Sequence, residues 1–193
     1  MPFRALYEHV AGLGHWPIRV ETDLCPKIIE LTSQDEITFT SVELDPDVSL
    51  GHMKQYQRHP AVYALPISVT DIRYHRGLNT CWRRFVCAKE LMQIFDSDAE
   101  RADSDLKFRR LLGELETAPL PGQESPMYNS EFKTQWMALA VLCPVPVRDR
   151  LIERFRAGHM TSYEVALELR VPEAVIGAIA GDNYGAFIES LLS

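Results

Sequence analysis

Lys89, Glu90 and Gln93 stand in the middle of an otherwise apolar run from Arg84 to Phe95. On a helix, residues four apart share a face, so Lys89 and Gln93 point the same way with Glu90 beside them. A helix that holds a catalytic zinc uses this spacing, with histidine ligands at i and i+4 and a glutamate general base at i+1. Here a lysine and a glutamine occupy the two ligand positions, and only the glutamate stands. Glu90 thus stands where such a helix places its base, while an ordinary core helix whose polar residues reach solvent would show the same pattern.

The elements that must present these residues can be read from periodicity. Asn79 is placed to cap a helix over residues 80–96. Residues 3–11 give a short amphipathic helix that stops at Gly12 and Gly14, whereas residues 15–35 are irregular, broken by Pro17 and Pro26. Ile28 to Leu31 fits either a helix end or a strand. Ile37 to Leu44 alternates with period two and reads as a half-buried strand. Residues 50–60 read as an exposed connection, and 61–67 and 69–74 as two further strands. Helices are expected over 104–116, 130–143 and 147–157, with a loop at 117–129. Three short helices follow over 161–192, with Ser162, Pro172 and Asp182 as their start signals. The first two resemble a helix-turn-helix pair. Glu173 to Ala180, the second member, contains no Lys or Arg to meet phosphates or bases, which disfavours DNA reading.

Composition bounds the rest. The 193 residues, 46% hydrophobic and 24% charged, suit one core and argue against disorder. A net charge of −7 disfavours general phosphate-backbone binding. Arg148, Arg150, Arg154 and Arg156 are interrupted by Asp149 and Glu153 and read as a solvated helix face. Neither a signal peptide nor an apolar run near the ~20 residues of a membrane span is visible. Cys25, Cys81, Cys87 and Cys143 lack paired metal spacing and fit free thiols in a reducing compartment. The expectation is a cytoplasmic protein that does not meet a membrane.

Two segments, taken in order, resemble the ImmA/IrrE family of bacterial and phage zinc peptidases. Where that family reads R-F-T-x-A-H-E-x-x-H, this chain has Arg84-Phe85-Val86-Cys87-Ala88-Lys89-Glu90-Leu91-Met92-Gln93. Where it reads E-x-x-A-N-x-F-A-x-x-L-L-x-P, the run from Glu131 to Pro144 matches in register from the glutamate to the proline. The resemblance implies that Glu131 descends from the third metal ligand. It also implies an α+β, zincin-like fold, a small N-terminal sheet followed by a mainly helical half with a helix-turn-helix-like tail. One domain is expected over 1–193: a mixed part at 1–78, degenerate peptidase helices at 79–160 and a helical tail at 161–193.

The departures bear on activity. Catalytic zinc needs about three protein ligands and an open position. Lys89 brings a positive charge where the cation would sit, and Gln93 offers only a neutral amide. No cofactor is expected, zinc being possible only with replacement ligands. The Lys89 ammonium could instead fill the cationic centre and pair with Glu131 or Glu90, sparing buried carboxylates the cost of isolation. The leading expectation is a catalytically inactive peptidase-like protein that binds a protein, such as a helix-turn-helix repressor, an antitoxin or a stress or phage regulator. One alternative is an active metal-dependent peptidase with ligands recruited from His75, His159, Asp96 or Asp98. Another is a structural or assembly component of a phage or mobile element.

Overall fold

The computed structural model describes residues 2–97 and 125–193. The helix expected over 104–116, most of the 117–129 loop and Asp98 lie outside these residues. The described residues form an α+β structure with one three-stranded sheet.

Helix α1 (Pro2–Ala11) buries Phe3, Leu6 and Val10 on one face. The stretch expected to be irregular instead forms a π-helical turn, Val20–Leu24, running into α2 (Cys25–Leu31). Pro26 does not break α2, because it lies in the first turn, where no backbone N–H is required. Ile28 to Leu31 is thereby helical.

Strands β1 (Glu36–Val42), β2 (Gly51–Arg58) and β3 (Ile67–His75) form a sheet in the order β1-β3-β2. β1 runs parallel to β3, with Phe39 opposite Ile72, and β2 runs antiparallel to it, with Met53 opposite Ile72. Two expectations are corrected here. Residues 51–58 are a strand rather than a connection, whereas 61–66 form the link into β3. Pro60 and Pro66 flank that link, and its Val62 and Tyr63 are 88% and 100% exposed. Apolar content suggested a strand there, but Pro60 and Pro66 remove a ladder donor at each end, and the Ala64 N–H closes a turn onto the Ala61 carbonyl.

α3 (Thr80–Met92) starts at Asn79, whose side chain accepts from the Trp82 N–H at 3.0 Å. A 3₁₀ turn, Gln93–Phe95, ends this segment. α4 (Pro126–Leu142) begins four residues earlier than expected, because Ser125 caps it and Pro126 occupies its first turn. Its last turns, Met137 to Leu142, are buried on every side, as befits a central helix.

α5 (Val145–Arg156), α6 (Ser162–Leu169), a 3₁₀ turn (Glu173–Val175) continuing into α7 (Ile176–Ala180), and α8 (Tyr184–Leu192) complete the chain. Thr161 rather than Ser162 caps α6, in a reciprocal capping box with Glu164. α8 has no side-chain cap, and Asp182 pairs with Arg156 instead. Nor is the arginine row of α5 uniformly solvated. Arg148 donates to the carbonyls of Ile179 and Gly181 and stacks over Tyr184, tying α5 to the end of α7.

The core is continuous from α1 and α2 through one face of the sheet, α3 and α4 to the C-terminal helices. Arg84 staples these parts together. From α3 its guanidinium donates to the carbonyls of Ile18, Leu169 and Arg170, at 2.6–3.0 Å. No helix among the described residues is long and apolar enough to cross a membrane.

A candidate site between helices α3 and α4

α3 and α4 pack along their lengths, and the four residues singled out in the sequence meet at their contact. Strand parity directs Gly51, Ile72 and Tyr74 toward α3. Gly51 lies so close to the helix that an added Cβ would stand 2.5 Å from Val86 Cγ1 and 3.4 Å from Glu90 Cγ. Only glycine allows β2 to close over Glu90 in this way.

Lys89 Nζ forms ion pairs with Glu90 Oε1, at 3.1 Å, and with Glu131 Oε2. Gln93 Nε2 donates to Glu90 Oε2 at 2.8 Å and reaches Glu131 Oε1 at 3.5 Å. Two carboxylates from two helices are thus bridged by one ammonium and one amide. The Glu90 side chain is 4% exposed, and those of Lys89 and Glu131 are 20% and 26% exposed. Burial pushes the Glu90 carboxyl up to about 7; the Lys89 charge opposes that rise and Glu131 adds to it. Burial also works against the Lys89 ammonium, but the paired carboxylates outweigh it and hold its pKa above the ordinary lysine value.

This donor set does not fit zinc. A divalent cation needs lone pairs directed at one point. Lys89 and Gln93 instead direct N–H bonds at the carboxylates, and the Lys89 ammonium puts a positive charge between them that repels a second cation. Among the described residues no three His, Cys, Asp or Glu side chains are grouped to hold a metal ion.

The other histidines and acids weighed as ligands lie elsewhere. His75 is on the sheet face turned away from α3, where its Nδ1 accepts from the Leu44 N–H at 3.4 Å. His159 is exposed beyond the end of α5. Asp96 is buried farther along the α3–α4 contact, held by the Ser130 hydroxyl and, at 3.0 Å, by Lys133 Nζ.

That last group was not anticipated from the sequence. Ser130 and Lys133 flank Glu131 on α4, and Asp96 follows the end of α3. Lys133 follows Glu131 by two positions, off the i, i+3 or i+4 spacing that marks paired helix residues, so a second charged contact was not visible. Together the two groups make the contact between the end of α3 and the first turns of α4 ionic, whereas the later turns of α4 are apolar.

Comparison with family models, curated proteins and solved structures finds no match to this chain.

Proposed function

We propose that the chain is a zincin-like, peptidase-derived protein that has exchanged its metal for an internal ion pair and acts by binding another protein. The observation that carries this reading is the position of Lys89. Its ammonium lies between Glu90 and Glu131, the two carboxylates that the resemblance to ImmA/IrrE peptidases makes the former base and third ligand. A cation of the protein's own thus stands where the resemblance puts a metal. Both carboxylates already accept from the ammonium and the amide, which supports a structural rather than a catalytic use of them.

The partner class we assign is a helix-turn-helix regulator. The net charge of −7 suits a basic, DNA-binding surface, and complementary charge speeds and selects such encounters. The chain's own helix-turn-helix-like pair, α6 and α7, packs through Val165, Leu169 and Ile176 into the core, which supports a structural use.

The test is to incubate the full chain with zinc, dialyse it, and measure both bound metal and metal-dependent peptidase activity. Neither is expected. About one tightly held zinc per chain, or peptide cleavage abolished by a chelator, would overturn the proposal. Its second half is tested by titrating the chain with purified helix-turn-helix regulators. Binding that weakens as salt rises is expected for at least one, and failure with every regulator tried would remove the partner assignment.

A further inference from the structure

A cavity of about 290 Å³ opens between the π-helical turn, the sheet and the first turns of α3. It lies at the opposite end of α3 from Lys89, and its chemistry is different. Phe39 of β1 and Tyr74 of β3 share the sheet face toward α3 and give the cavity an aromatic wall. Arg19, Arg83 and Arg84 also line it, against one acid, Glu21.

The three guanidinium groups are not equivalent. Arg84 is spent on carbonyls of Ile18, Leu169 and Arg170, yet none of these carries a counter-charge. Burial pulls its pKa down to about 10, Arg170 adding to the fall and the more distant Asp23 opposing it, so its cation is held at a cost and without an ion pair among the described residues. The side chains of Arg19 and Arg83 make no hydrogen bond or ion pair among the described residues. Two exposed planar forks without a hydrogen-bond partner therefore line a cavity whose wall already holds a third guanidinium that makes no ion pair. Arginine forks bind carboxylate and phosphate in a bidentate manner, and aromatic faces accept flat rings. The volume is at the lower end of the range for small-molecule sites.

We propose that this cavity binds a small molecule consisting of one flat ring system that carries a single phosphate or carboxylate. The anion is held by Arg19 and Arg83 with the Arg84 charge behind them, and the ring lies against Phe39 and Tyr74. Glu21 opposes the anion and sets an upper limit on affinity.

The test is calorimetric titration of the full chain with phenyl phosphate, benzoate, adenosine monophosphate, inorganic phosphate and the neutral compounds phenol and adenosine. At least one ring monoanion is expected to bind ten-fold or more tightly than inorganic phosphate and than its own neutral counterpart. A preference for adenosine monophosphate assigns a nucleotide ligand, and a preference for phenyl phosphate or benzoate assigns a simple aromatic acid. Arg83→Gln is expected to weaken that binding at least ten-fold, and Glu21→Gln to tighten it several-fold. Both side chains are exposed, so neither change disturbs the core. Failure of every ring monoanion to bind would overturn the proposal. So would binding left unchanged by Arg83→Gln, or binding by inorganic phosphate or the neutral ring as tight as by the ring monoanion.

Discussion

Lys89 on α3 and Glu131 on α4 meet as an ion pair, with Glu90 held against the same ammonium at 3.1 Å. The contact joins the two helices that form the centre of the molecule. It also leaves a buried carboxylate, Glu90, dependent on one lysine for its charge. Replacing such a pair by apolar groups can be neutral, but removing one partner is costly because the other stays buried and charged.

Lys89→Met removes the ammonium and leaves both carboxylates. The folded-state pKa of Glu90 is already raised from 4.5 to about 7. A raised carboxyl pKa favours the fold below about pH 4.5, and that contribution is lost as pH rises through about 7. Without Lys89 the Glu90 pKa rises further, so the loss of stability should be small at pH 5 and grow to about 3 kcal/mol at pH 8. Thermal melts across this range check it. A pH-independent difference, or none, would show that the lysine does not support the carboxylates.

Gly51→Val places a branched side chain where Val86 Cγ1 and the Arg73 carbonyl leave no room. Overpacking of this kind costs about 1–3 kcal/mol. The amides of β2 should also exchange with solvent faster, because the strand is pushed off α3. Urea unfolding and hydrogen exchange together measure both effects.

Arg84→Met keeps the apolar stem but strips donors from the carbonyls of Ile18, Leu169 and Arg170. A loss of about 3 kcal/mol is expected, from unsatisfied acceptors. Arg84→Lys should recover only part of it, since an ammonium cannot reproduce the fork that spans the two segments. Denaturant midpoints of the two variants would rank them.

The α3–α4 pairing was legible in the sequence because helical spacing, the Asn79 cap and the register from Glu131 to Pro144 all pointed the same way. The sheet was less so. β2 carries His52, Lys54 and Arg58 on one face but also Gln55 and Gln57 on the other, so an edge strand with few apolar residues looked like a loop. Its Gly51 resembled a turn residue, whereas it is the point of close approach to α3. Val62, Tyr63 and Leu65 misled in the other direction, being apolar yet exposed. Arg84 was noted only as part of a motif. That it joins Ile18 to Arg170 depends on contacts between distant segments, for which local periodicity carries no signal.

The most direct measurement introduces the two residues that would make the site a metal site. In the double variant Lys89→His with Gln93→His, imidazoles stand at i and i+4 beside Glu131, and no internal cation remains between the carboxylates. Zinc content after incubation and dialysis, measured beside the unaltered chain, should be about one per chain for the variant and none for the parent. Zinc held equally by both, or by neither when the variant is folded, would contradict the proposal that Lys89 stands in for a metal.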